Sequence, residues 1–307
     1  MIYYIIRRLL MLIPTLIGVT LVSFLILQCV PGDPARTMAG DQATEEDVQA
    51  LRVKLGLDRP IIIQFGTFLI NVARGNFGES IRTQNAVLAE VWPRFLNTLK
   101  LALASIVIAF FIGVALGMIA AVYQNKPIDH ITMGIILLGV SVPSFWLGLI
   151  IALIFSIYLG WFPSGGAMGF SSIVLPAVTL AAPCIAMAAR MTRSSMLEVL
   201  GQDYIKTARA KGQKESKVVC KHALKNALIP TITIIGLQFG YLMGGAVLVE
   251  TIFTWPGLGR MIVISISTRD YPMVQGGVMI FAFSFVLVNL VVDLLYTYLD
   301  PRITYGL

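Results

Sequence analysis

Six long, nearly uncharged apolar blocks recur along this chain, at 9–30, 98–123, 131–159, 173–191, 227–248 and 274–299. A bilayer core about 30 Å thick is crossed by roughly 20 apolar residues in a helix. Inside lipid, only helices and closed barrels satisfy their own backbone polar groups. Blocks of this length therefore predict an all-α integral membrane protein with six transmembrane helices. Composition agrees: charged residues make up 13% of the 307 and the mean hydropathy is +0.83, whereas a soluble domain carries about 25% charged residues.

Two blocks need comment. Arg7 and Arg8 precede the first, as in a cleavable signal segment, but it runs 22 residues and ends at Pro31-Gly32-Asp33-Pro34 instead of a small-residue cleavage site. A retained helix is expected. Pro176 and Pro183 interrupt the fourth block, which a membrane helix tolerates when neighbours satisfy the freed carbonyls.

Lysine and arginine set the orientation. With the N-terminus cytoplasmic, 13 of the 23 fall inside, nine of them within 190–226. Seven of the ten outside lie in the segment 31–97, where eight acidic residues accompany them and the positive-inside rule weakens. Both termini are expected in the cytoplasm. The net charge of +7 then reports membrane orientation, and no nucleic-acid partner is expected.

The chain thus divides into a first helix within 1–30, an extracytoplasmic segment 31–97 and a five-helix core 98–307. The outer segment reads as partly helical, because Thr44-Glu45-Glu46-Asp47 supplies a cap and first-turn acids before Val48 and Leu51.

The connection 190–226 is too long for a mere link between helices. Tyr204, Ala208 and Lys211 recur at helical spacing, Val218, Val219 and Leu224 form a second apolar set, and Gly212 stands between them. A short helix, a glycine turn and a second helix are predicted. Such an element can be a knob gripped by another protein, or a basic loop held at anionic lipid by its nine Lys/Arg. Spacing leaves both open.

Glycines recur every four residues at Gly236, Gly240 and Gly244, and at Gly113 and Gly117. Small residues at this spacing let helix backbones approach closely in lipid, either within one subunit or between two lining a pathway. Glu250, at the end of the fifth block, stands at a pathway mouth or at a solvated helix end. Asp293, one turn after Asn289, is expected to reach the membrane surface or to bond a neighbouring helix. Cys29, Cys184 and Cys220 have no metal-site spacing and read as small apolar filler.

The stretch Lys206-Thr207-Ala208-Arg209-Ala210-Lys211-Gly212 resembles the "EAA" coupling loop of bacterial ABC importer permeases. Lys206 replaces a common glutamate and Lys225 a common proline, departures shared by the peptide and nickel importer subclass. Further stretches are similar to that subclass: Pro31-Gly32-Asp33-Pro34, Leu55-Gly56-Leu57-Asp58-Arg59-Pro60 and Gly75-Asn76-Phe77-Gly78-Glu79-Ser80 in the outer segment. Val142-Pro143-Ser144-Phe145-Trp146, Thr254-Trp255-Pro256-Gly257-Leu258-Gly259 and Arg269-Asp270-Tyr271-Pro272 follow in the core. Their order on one topology covers nearly the whole chain.

The resemblance implies a type I ABC importer permease fold in the bacterial inner membrane. It implies a second homologous permease, two cytoplasmic ABC ATPases and an extracytoplasmic substrate-binding protein. Coupling would run through the loop 192–226, gripped at 203–221, with Asp203, Tyr204, Thr207, Ala208, Ala210, Lys211, Gly212 and His222 as its residues. Gly236, Gly240, Gly244 and Glu250 are the candidate pathway or interface residues. Di- and oligopeptides are the implied cargo, with glutathione or chelated nickel as alternatives. No G-x-x-x-x-G-K-[ST] phosphate loop occurs, so ATP and Mg²⁺ are expected on partner ATPases and no cofactor on this chain.

An ion-coupled secondary transporter would place ionisable groups near the midplane and often show repeats, and neither is visible. An intramembrane hydrolase needs a histidine or paired acids at membrane depth, but His130 and His222, the chain's two histidines, fall at block boundaries.

Overall fold

The computed structural model describes residues 2–29, 34–40, 43–54 and 56–299. Residues 31–33, Leu55 and Arg302 lie outside the described residues, as do the side chains of Arg7, Arg8, Cys29 and Asp293. The described residues are helical, with one isolated two-residue bridge, Glu79 with Ala86. The chain divides into two compact units, residues 1–98 with 256–290 and residues 99–255 with 291–307.

The first unit opens with α1 (Ile2–Cys29), a 28-residue helix. Three short helices follow: α2 (Pro34–Ala39), α3 (Glu45–Lys54) and α4 (Ile61–Ala73). The cap expected at Thr44 is present. The Asp47 amide donates to Thr44 Oγ1 at 3.2 Å and the Thr44 amide donates back to Asp47 Oδ2 at 3.1 Å, a reciprocal arrangement that satisfies two orphan donors. Hydrogen bonds from Thr44 hold the Asp47 carboxyl below the usual carboxylate range.

Helix α5 (Val87–Val122) runs 36 residues and passes from the first unit into the second. It starts within the segment expected to be extracytoplasmic, and it carries Pro93 as its seventh residue without a break. The first unit is completed by α12 (Leu258–Ser267) and the start of α13 (Tyr271–Leu299). Its core gathers Val87, Val91, Leu258, Met261, Met273 and Ile280.

In the second unit the third apolar block does not form one straight span. Helix α6 (Pro127–Ser141) and helix α7 (Ser144–Ile151), continued by a π-helical segment Ala152–Tyr158, meet at a bend of 105°. Pro143 explains it. The residue before a proline is pushed out of the α region, and Val142 is extended at φ −84°, ψ 125°.

Helix α8 (Phe170–Leu200) contains both prolines without a break and extends nine residues past the expected end at 191. A short α9 (Asp203–Ala210) follows. Then α10 (Glu215–Lys217), a π-helical segment Val218–Ala223 and α11 (Leu224–Ile252) run on as one rod. The second helix expected in the connection is therefore the beginning of the next membrane helix.

Four described helices are long and apolar enough to cross a membrane, within 87–122, 170–200, 215–252 and 271–291. The bent α6–α7 pair offers a fifth crossing, and α1 carries the apolar stretch Ile13–Val22. The described residues of the six apolar blocks thus lie in helix apart from the break at Val142–Pro143 and the block ends Tyr123 and Leu159, compatible with the six-span expectation.

The glycines of the second block make a close crossing inside the second unit. A Cβ on Gly113 would lie 2.6 Å from the Ala188 Cβ, and one on Gly117 would meet the Ala189 carbonyl oxygen. Helix α5 therefore packs backbone to backbone on α8.

Candidate functional site

The connection between α8 and α11 is built on a small apolar core. Met196 of α8, Ile205 and Ala208 of α9, Val218, Val219 and Ala223 of the π-helical segment, and Ala121 of α5 are all buried together. Tyr204 and Ala208 share the helical spacing seen in the sequence, and the residues that turn inward are Ile205 and Ala208. Tyr204 stays half exposed, and its hydroxyl accepts a hydrogen bond from Asn226 Nδ2 at 2.8 Å. Its polar end made the tyrosine a poor core residue and a good tie to α11.

Gly212 has φ +72°, and a Cβ there would meet nothing within 4 Å. The backbone conformation, and not crowding, calls for glycine. Lys211, expected in the last turn of α9, is the residue just past it. Across this turn Arg209 grips Glu215 in a two-pronged ion pair, Nε to Oε2 at 3.1 Å and Nη2 to Oε1 at 2.6 Å. That pair holds the Arg209 guanidinium above its ordinary range. His222 Nε2 lies 2.8 Å from Gln213 Oε1 and closes the turn from the other side.

The remaining expected residues form an open surface. Asp203 binds Lys206 at 2.9 Å, and the Thr207 hydroxyl donates to the Asp203 carbonyl at 2.9 Å. Ala210, Lys211 and Gly212 are exposed. Lys211, Lys214, Lys217, Lys221 and Lys225 make no ion pair among the described residues. The surface is polar, predominantly basic, and carried on a rigid turn.

Its root is fixed by a second arginine–carboxylate pair that the sequence reading missed. Arg193 of α8 donates from Nε to Asp129 Oδ1 at 2.8 Å and from Nη2 to Oδ2 at 2.7 Å, and the Asn125 amide adds a bond at 3.0 Å. Asp129 is 2% exposed. One signal was available: Asp129 is the sole acidic residue between Glu90 and Glu198, and an acid at the edge of an apolar block calls for a partner. The hydroxyls of Thr192 and Thr231, 3.1 Å apart and buried, tie α8 to α11 beside it.

The glycine row of α11 is split. Gly240 is buried, Gly236 half-buried and Gly244 exposed with open space around it. Gly244 belongs to a stripe with exposed Leu237, Tyr241 and Leu248. Glu250 is fully buried in the second unit, near the end of α11, and is not a solvated helix end.

In the first unit, motifs far apart in sequence meet at one junction. Asp270 accepts hydrogen bonds from the Ser80 hydroxyl and, at 3.1 Å, from the Ile81 amide. The Leu258 amide donates to Thr98 Oγ1 at 2.8 Å, and Asn97 Nδ2 donates to the Pro256 carbonyl at 3.0 Å. A half-open cavity of about 430 Å³ beside them is lined by Arg82, Arg94, Arg260 and Glu90, among others. Local periodicity carries no trace of these pairings.

Residues 113–305 match the family model of the binding-protein-dependent transport system inner membrane component, and residues 1–102 match the model of the N-terminal part of such membrane components. The chain is 46% identical over 305 residues to the glutathione transport system permease protein GsiC of Escherichia coli strain K12, covering 99% of this chain and 100% of that one. The same figures hold for the GsiC of Salmonella choleraesuis. The fold is similar to that of the MetNI methionine ABC transporter in its inward-facing form, with a TM-score of 0.57 at 18% identity over 69% of this chain and 97% of that one. Family models covering both parts of the chain and full-length similarity to a permease make it a member of the inner-membrane permease family of ABC importers, in its peptide and nickel branch.

Proposed function

We propose that this chain forms half of the translocation pathway of an ATP-driven importer for short peptides, with glutathione as its first candidate cargo. Glutathione is a tripeptide, so it lies within the peptide class that the sequence motifs imply. The 46% identity to glutathione permeases over the full length supports it over a general di- or oligopeptide cargo or a nickel chelate. A second permease completes the pathway, with the exposed α11 stripe of Leu237, Tyr241, Gly244 and Leu248 as the candidate seam. Both termini and the α8–α11 connection face the cytoplasm, where two partner ATPases bind ATP and Mg²⁺. A binding protein delivers cargo on the other side.

The observation that carries the coupling role is mechanical. Helix α9 is an eight-residue element slung between two long rods, α8 and the 215–252 helix, and is bonded to the second at Glu215 and Asn226. A partner that moves α9 moves both rods. Its five unpaired lysines favour an acidic docking surface, since complementary charge sets the register of an interface.

Two measurements test this. The chain is purified with its genetic neighbours, and ATP-dependent uptake is followed with glutathione, a dipeptide and a nickel chelate. Uptake of glutathione is expected; uptake of the chelate alone overturns the cargo reading. Gly212→Pro, which cannot hold φ +72°, is expected to insert normally and to hydrolyse ATP without transport. Unchanged coupling in that variant removes the turn from the mechanism.

A further inference from the structure

The segment between α1 and α5 was read from sequence as extracytoplasmic, yet one of its helices is built for lipid. We propose that α4 lies in the membrane interface, with its apolar face among the acyl chains of the leaflet at the Cys29 end of α1.

Helix α4 reads Ile61-Ile62-Ile63-Gln64-Phe65-Gly66-Thr67-Phe68-Leu69-Ile70-Asn71-Val72-Ala73 and has no charged residue and no buried one. Ile62 is 84% exposed, Ile70 54%, Ile61 52% and Ile63 48%. Left in water, four isoleucines each close to half bare or more on 13 residues would forfeit most of the gain that burying apolar area gives, roughly 25 cal/mol per Å². Its polar groups, Gln64, Thr67 and Asn71, recur at i, i+3 and i+7 and form one narrow stripe. Around the rest of the helix the surface is apolar.

Its neighbours place it at the membrane. Phe65 and Phe68 pack on Phe24, with ring centroids 5.5 Å and 6.5 Å apart. Phe24 is five residues from the end of α1 at Cys29, so α4 meets a membrane helix near one lipid surface. Thirteen residues span about 20 Å, too short to cross a core of about 30 Å. A helix of this kind lies along the interface. Arg59 and Arg74 flank it and make no ion pair among the described residues, which leaves both guanidinium groups available to lipid phosphate.

The helix is also tied at both ends. Gln64 Nε2 donates to the Leu57 and Arg59 carbonyls at 3.2 and 2.8 Å. Beyond it, the Gly75 amide bonds the Val72 carbonyl and the Asn76 amide the Asn71 carbonyl, with Gly75 at φ +77°. The chain then runs directly to Phe77 in the core of the first unit and to Ser80 on Asp270. An α4 held in the leaflet would therefore fix the height of that junction.

Nitroxide labels test the placement in the full chain, reconstituted in phospholipid nanodiscs after Cys29, Cys184 and Cys220 are replaced. Labels go on Ile62→Cys, Ile70→Cys and Thr67→Cys, with Phe111→Cys on exposed mid-α5 as a lipid standard. Power saturation is read against oxygen, which concentrates in lipid, and against a nickel chelate, which stays in water. Oxygen is expected to dominate at 62 and 70, as at 111, and the chelate at 67. Dominance of the chelate at all three α4 positions overturns the proposal in favour of a solvated segment. Protection from both reagents at 62 and 70 overturns it in favour of a protein partner, a second copy included. All three substitutions are at exposed positions, and retention of the monodisperse elution of the unlabelled chain checks folding.

Discussion

Arg193 and Arg209 make the same bond in opposite surroundings. Each grips a carboxylate through Nε and Nη2 at 2.6–3.1 Å. At the root of the α8–α11 connection, the acid is Asp129, 2% exposed, and Arg193 itself is 25% exposed. At the tip, Arg209 and Glu215 are 43% and 57% exposed. In water such a pair contributes about 0–1 kcal/mol, because screening and side-chain entropy offset the attraction. Enclosed, the pair is no strong source of stability either, but neither member can be removed cheaply, because the other is left charged and dry. The root is thus built to hold one geometry and the tip to be shaped without being locked. The coupling role proposed for this connection needs both: a fixed lever and a surface that a partner can engage.

The sharpest way to break this contrast is to remove the root arginine. Arg193→Ala leaves the Asp129 carboxylate accepting from the Asn125 amide without its guanidinium and is expected to cost about 3 kcal/mol, read as a lowered unfolding midpoint in detergent. Arg193→Lys keeps the charge and loses the fork, so it should recover part of that loss. Equal stability of Arg193→Ala and the wild type would show that water reaches Asp129 and that root and tip do not differ.

The junction of the first unit asks whether a buried carboxylate needs an arginine at all. Asp270 is 4% exposed and is held by the Ser80 hydroxyl and the Ile81 and Met273 amides, with no cation in the set. Asp270→Ala strips acceptors from these donors and is expected to cost about 2 kcal/mol. Asp270→Asn keeps an acceptor oxygen and should cost less, measured by the same unfolding experiment. If Asp270→Ala proves as costly as Arg193→Ala, the hydrogen bonds and not the ion pair set the scale at both sites.

How much of this was legible follows from where lipid makes its demands. The six apolar blocks are plain because hydrocarbon tolerates few alternatives to an apolar helix. The bend at Pro143 could be read from the same rule that explains it, since Val142 precedes a proline. Helix ends could not. Beyond 191 and before 227 the rods leave the apolar blocks and carry polar residues, so α8 runs on to Leu200 unmarked, and the apolar set Val218, Val219 and Leu224 reads as a separate helix although it opens the α11 rod that starts at Glu215. The spacing of Tyr204, Ala208 and Lys211 did not say which side of α9 is buried: the Tyr204 hydroxyl binds Asn226 and Ile205 takes the core. In the α1–α5 segment, α4 was absorbed into an outside loop because its 13 residues fall short of a span. Pairs such as Ser80 with Asp270 join residues 190 positions apart, and no local pattern encodes them.

The smallest expected change in stability carries the most about function. Arg209→Ala removes the exposed fork to Glu215 and should shift unfolding by less than about 1 kcal/mol, since Ile205 and Ala208 still anchor α9 in its apolar core. If the tip acts as a shaped surface, the variant should still assemble with its ATPases and hydrolyse ATP, yet move less cargo per ATP, because α9 is no longer braced against the start of the α11 rod. The exchange Arg209→Glu with Glu215→Arg restores the pair with its charges reversed. Recovery of coupling by the exchange would assign the role to the brace. Failure of the exchange, with the single variant impaired, would assign it to the positive charge of Arg209 itself, facing an acid on the partner. Full coupling in Arg209→Ala would leave the brace without a role in transmission, and the contrast between root and tip would then be one of burial alone.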